Sequence, residues 1–216
     1  IEKKILLRRN SKKMMSSGLL IVFSGPSGAG KDTILKRLLE KDKSIRLSIS
    51  ATTRRPRSGE VDGVDYYFVD RNKFIIMQQN DDMLESAEYC GNFYGTPRKP
   101  IEKWVSEGDN VILEIEVQGG AQIKQKIPEC VSIFILPQSL SVLEQRLKNR
   151  KTESNEVISN RLETAHNEIL QAVNYDYAVI NDSVESAVDE IINIVHAEKH
   201  KVIRNKKLIE RILENA

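Results

Sequence analysis

The sequence predicts an α/β fold, a parallel sheet wrapped by helices with a small β-rich lobe inserted into it. Three observations predict this. Strand-like and helix-like segments alternate along most of the 216 residues, the pattern of repeated βα units. A glycine-rich turn, Gly25–Gly30, separates the first apolar strand from the first helical stripe. The stretch Ile45–Thr96 breaks the alternation with short strands and tight turns.

The elements follow in order. Leu19–Ser24 reads as a short buried strand, and Lys31–Asp42 as a helix with Ile34, Leu35, Leu38 and Leu39 on one face. Arg46–Thr53 reads as one strand. Arg54–Gly63 is a loop broken by Pro56, Gly59 and Gly63. Asp65–Val69 is β-branched and aromatic, a strand, and Asp70 caps a helix running to Asn80. Leu84–Tyr89 and Asn92–Thr96 form two strands about a turn at Cys90–Gly91. Pro97–Glu107 is a helix closed by Gly108. Asn110–Val117 is a strand, Gly119–Lys126 a helix, and Val131–Leu136 an apolar central strand. Ser139–Arg150 and Asn155–Asn174 are helices, Tyr177–Asn181 a last strand, and Val184–Leu213 one long or broken helix.

Composition narrows the partners. Hydrophobic residues make up 40% and charged residues 30%, as in ordinary soluble domains. Net charge is +2, from 33 basic and 31 acidic residues, so bulk charge gives no reason to expect nucleic acid. The longest apolar run, Leu19–Phe23, is too short to span a membrane. Cys90 and Cys130 lack metal-ligand spacing and suit a reducing cytoplasm. Residues 1–17 are basic and poor in acid, and are expected to be a disordered extension outside the fold; a targeting leader is the other reading. The remainder, 18–216, reads as one domain: a core of 18–44 and 97–216, and a lobe of 45–96.

Gly25-Pro26-Ser27-Gly28-Ala29-Gly30-Lys31 fits the phosphate-cradling pattern G-x-x-x-x-G-K between strand and helix. Glycines let backbone N–H groups turn toward an anion, and the helix that follows adds its N-terminal dipole. Lys31 brings a full charge to the transferred group. This marks a P-loop core binding a nucleoside triphosphate, with Asp32 and Thr33 completing the site. A Ser or Thr hydroxyl facing Mg²⁺ is usual where Asp32 stands. Asp32 either faces the ion, directly or through water, or serves as an acid at the helix N-terminus.

The lobe addresses the second substrate. Arg54, Arg55 and Arg57 crowd one loop, and arginine forks match phosphate geometry. Tyr66 and Tyr94 carry phenols able to donate to the same group. Four motifs stand in order: GPSGAGK at 25–31, S-x-T-T-R-x-P-R at 50–57, G-E-x-x-G-x-D-Y-x-F at 59–68 and G-N-x-Y-G-T at 91–96. I-L-E-I-E-V-Q-G at 112–119, R-L-x-x-R at 146–150, Asn160-Arg161-Leu162 and Asn181-Asp182 continue the series. On these the chain resembles the guanylate kinase family over residues 18–205.

The resemblance implies an ATP:GMP phosphotransferase using Mg²⁺, with a GMP-binding lobe and a helical lid at about 139–170. It implies that Arg54, Arg57, Tyr66 and Tyr94 hold the GMP phosphate, and that Ser50, Glu85 and Thr96 read guanine. Glu114 lies near the guanine or the metal. Arg146, Arg150 and Arg161 of the lid join Lys31 and Arg54 in the transfer step, and Asn181 meets the adenine. The family pattern has aspartates at Glu114 and Glu116 and glycine at Lys151. The chemistry supports Glu85 independently: guanine offers two adjacent donors, N1–H and the amino group, and one carboxylate accepts both.

Overall fold

The computed structural model describes residues 18–89, 91–149 and 155–214. Five strands form the main sheet: β1 (Leu20–Ser24), β2 (Ile45–Leu47), β7 (Asn110–Glu114), β8 (Val131–Pro137) and β9 (Tyr177–Asn181). Their order is β2-β7-β1-β8-β9, every neighbouring pair parallel. Such pairing requires crossover helices, and these cover both faces. On one face Ile21, Phe23, Ile112 and Ile133 meet α1 (Lys31–Lys41) and α7 (Val184–His200) through Ile34, Leu38, Val188 and Ile191. On the other, Val22, Val111 and Leu113 meet Ile101 of α3 (Arg98–Glu107) and Ile123 of α4 (Val117–Lys126).

The lobe is a second sheet of order β4-β3-β6-β5, made of β3 (Ala51–Thr52), β4 (Tyr67–Phe68), β5 (Met83–Tyr89) and β6 (Asn92–Pro97). α2 (Arg71–Gln79) closes it, with Phe74 packed on Ala51 and Met83. Asp70 caps α2 as expected, its carboxylate accepting the Lys73 N–H at 2.8 Å. α5 (Leu140–Asn149) and α6 (Asn155–Leu170) make a separate small core from Leu143, Leu147, Ile158 and Ala165.

Three sequence expectations change. The single strand expected at Arg46–Thr53 is two strands in two sheets. Ser48 N–H still bonds Ile112 C=O at 2.9 Å in the core ladder, whereas Ser50 C=O accepts Tyr67 N–H at 2.9 Å in the lobe. A continuous β pattern does not reveal a change of partner. It follows that Ile45–Leu47, counted above with the lobe, belongs to the core sheet. The strand expected to reach Val117 ends at Glu114 because its neighbour β1 ends at Ser24; α4 then begins at Val117, two residues early. Of the two readings of Val184–Leu213, the broken helix is the one observed: Lys201 leaves the helical region, a short 3-10 turn follows, and α8 (Lys206–Glu214) is separate.

Candidate active site

The P-loop emerges from the C-terminal end of the central strand β1, where ligands of open α/β sheets bind. Gly28 and Gly30 both take φ of 92°, a left-handed conformation that glycine adopts without strain. A Cβ on Gly30 would also lie 2.4 Å from Asn181 Nδ2. Asn181, at the end of β9, is buried and donates from Nδ2 to Ala29 C=O at 2.7 Å. Lys31 Nζ arches over the loop to Gly25 C=O at 2.6 Å and Pro26 C=O at 3.4 Å.

The helical pair α5–α6 reaches the same loop. Arg146 donates to Ala29 C=O at 3.3 Å and Gly28 C=O at 3.4 Å. Arg161 donates to the Ser27 hydroxyl. Arg150 and Lys151 lie outside the described residues, as do 1–17 and Cys90. Gly28, Gly30, Thr33, Arg146, Asn181 and Asp182 line an open cleft of about 470 Å³.

A second cavity, about 330 Å³, opens between lobe and core. Ser50, Tyr66, Glu85 and Tyr94 line it from the lobe, and Glu114, Glu116 and Gly119 from the core. Lys31 and Asp32 also line it, so the two spaces border consecutive residues at the head of α1.

Glu85 is 5% exposed. Burial pushes its carboxyl above the usual range, and Thr96 opposes that shift by donating its hydroxyl at 2.7 Å. Thr96, expected to read a base, thus stands beside Glu85 and orients its carboxylate. Gly119 closes the I-L-E-I-E-V-Q-G motif without an assigned role there, and a Cβ on it would stand 2.7 Å from Glu85 Oε2.

The expected phosphate-binding set comes together in part. Arg54 forks onto Glu60 at 2.9 and 2.8 Å and lies over the Tyr66 ring at 5.3 Å. Tyr66 and Tyr94 meet edge-on at 6.2 Å. Arg57 is exposed, and its backbone N–H donates to Glu60 at 2.7 Å. Glu60 therefore organises the loop, a role that its place in the Gly59-Glu60 motif did not disclose.

Carboxylates gather at the Lys31 end. Burial first, then the charge of Asp32, raises Glu114 to about 7, with Lys31 pulling it back. Glu168 on α6 also rises to about 7, through burial and then Glu116. Spacing linked neither Glu168 nor Glu116 to this cluster. Asp32 stands close enough to Glu114 for its charge to raise that carboxyl, and the oxygens of both are hard donors of the kind Mg²⁺ takes. Among the described residues no three Asp, Glu, His or Cys side chains form a cage for a metal ion.

Comparison with known proteins agrees with this geometry. The guanylate kinase family model matches residues 17–198. A guanylate kinase of Desulfitobacterium hafniense is 49% identical over 195 residues, 90% of this chain and 98% of its own. One from Clostridium perfringens is 52% identical over 198 residues, 92% of this chain and 90% of its own. The crystal structure of guanylate kinase from Anaplasma phagocytophilum superposes with a TM-score of 0.72 at 39% identity, covering 88% of this chain and 90% of that one. By sequence and by fold, the chain belongs to the guanylate kinase family.

Proposed function

We propose that the chain transfers the γ-phosphate of ATP to GMP, giving ADP and GDP. One observation carries the reading: the P-loop cleft and a cavity holding a buried carboxylate lie on either side of the head of α1, the cleft reaching Gly30 and Thr33 and the cavity Lys31 and Asp32. ATP lies with its phosphates in Gly25–Lys31 and its base toward Asn181. GMP lies in the lobe cavity with guanine against Glu85 and Ser50, and its phosphate toward Arg54, Tyr66 and Tyr94. Arg57 joins that phosphate only by a movement of its loop.

The chemistry needs positioning more than proton transfer. A phosphate monoester has a second pKa near about 6, so the attacking oxygen is already ionised at neutral pH. The obstacle is to bring two polyanions together in line. Lys31 and Arg146 reach the P-loop carbonyls, and Arg161 reaches the loop from α6. Their fixed charges stabilise the equatorial oxygens as the phosphoryl group passes. Movement of α5–α6 as a lid, about 139–170, would exclude water. Mg²⁺, bound with ATP, would be held by Asp32 and Glu114 and supplies charge neutralisation at the phosphates. The reaction calls for no nucleic acid or membrane, and no helix among the described residues is long and apolar enough to cross one. We place it in the cytoplasm, where the free buried thiol of Cys130 stays reduced.

The test is ADP release with GMP, dGMP, AMP and UMP in parallel. GMP and dGMP should be used and the others should not. Equal rates with AMP would refute base reading by Glu85, and no ADP release with GMP would refute the assignment altogether.

A further inference from the structure

The open edge of the lobe sheet is closed by a helix of the core. β5 is the last strand in the order β4-β3-β6-β5, so alternate backbone groups face away from β6. An edge of this kind invites slippage unless something covers it. α4 covers it. Gln122 Oε1 accepts the Ser86 N–H at 3.3 Å, and Gln122 Nε2 donates to the Ser86 C=O at 3.0 Å. One carboxamide thus satisfies both outward groups of Ser86, as a neighbouring strand would.

The grip continues along the helix. Lys126 Nζ donates to Leu84 C=O at 2.8 Å. Gly119 leaves the space that Glu85 Oε2 occupies. Residues three and four apart share a helix face, which places Gly119, Gln122 and Lys126 along β5. The Leu84 side chain is buried in the core cluster with Val111, Leu113 and Ile123. Glu85 is therefore held on both sides, at Leu84 and at Ser86, by groups belonging to the core.

We propose that Gln122 is a positioning residue for base recognition. It does not line the cavity. By pinning Ser86 to α4 it sets where the Glu85 carboxylate stands, and it makes guanine affinity depend on the joint between lobe and core. The inference rests on Glu85 being the base reader.

Gln122→Met keeps the length of the side chain and removes both hydrogen bonds. Loss of two such bonds at a positioning site should raise the KM for GMP about five- to tenfold. kcat and the KM for ATP should stay within about twofold, and the far-UV spectrum should be unchanged. In a Glu85→Gln background the same substitution should add almost nothing, because no carboxylate is left to position. An undiminished effect in that background, or one shared with kcat and the KM for ATP, overturns the role of Gln122 and leaves Glu85 standing. A Glu85→Gln enzyme with an unaltered KM for GMP overturns the Glu85 assignment, and the positioning role with it. Gln122→Ala, measured with the same readouts, serves if the methionine variant does not fold.

Discussion

Gly119→Ala separates stability from recognition. Gly119 lies in the first turn of α4, where alanine is the better helix former by about 0.8–1 kcal/mol. Its added Cβ would stand 2.7 Å from Glu85 Oε2 and 3.2 Å from Glu85 Cδ. Ordinary contact begins at 3.4 Å, so the carboxylate must retreat by about 0.7 Å. The displaced atom is the end of a flexible side chain, so the fold loses little. Recognition loses more. A carboxylate bond of about 2.9 Å stretched by that amount is no longer a hydrogen bond. One bond to a charged group contributes about 1.5–3 kcal/mol, which is roughly a ten- to hundredfold loss in kcat/KM for GMP. Initial rates of coupled ADP release, with each substrate varied in turn, measure this. The KM for ATP should not move, and the melting temperature should hold or rise slightly. Unchanged kcat/KM for GMP would show that Gly119 does not set the position of Glu85. An equal loss against ATP would show general damage.

Three further outcomes are expected. Glu60→Ala, which removes the fork holding Arg54 and the acceptor of the Arg57 N–H, should raise the KM for GMP about fivefold with little change in the KM for ATP; an unaltered KM for GMP would place that loop outside the phosphate site. Asp32→Ser should retain activity with a shifted Mg²⁺ requirement, and coincident Mg²⁺ titrations for the two proteins would deny Asp32 a metal role. Glu168 has a folded value of about 7 against an ordinary 4.5, raised mainly by burial. Its stabilising share is complete below about 4.5 and is lost as pH rises through about 7. Thermal melts in metal-free buffer should therefore show stability falling between about pH 5 and 8, and Glu168→Gln should flatten part of that fall; identical pH profiles would refute the placement of Glu168.

Much of this molecule is legible within short windows of chain. The stripe of Ile34, Leu35 and Leu38 defines α1, Asp70 defines the start of α2, and Gly108, with φ of 98°, ends α3. Each signal depends on neighbours within one helical turn. The strand at Arg46–Thr53 misled for the same reason. Its local pattern is uniformly β, and only the positions of Ile112 and Tyr67 divide it between two sheets.

The site divides along the same line. The sequence by itself determined the phosphate cradle, because Gly25–Lys31 is contiguous and its chemistry is carried by backbone and one lysine. Through the resemblance to the guanylate kinases it also pointed to Glu85, a choice that agrees with the two adjacent donors of guanine. Only the tertiary structure decided how that carboxylate is held. Thr96 comes from β6, Gly119 from α4, and Gln122 grips the neighbouring Ser86 from 36 residues away. It also drew Asp32, Glu114, Glu116 and Glu168 to one end of the cavity, where burial and mutual repulsion lift two of them to about 7. The physical reason is common to all of these. A loop of adjacent residues carries its own geometry, whereas contacts between distant residues exist only once the order of strands and the docking of helices have brought them together.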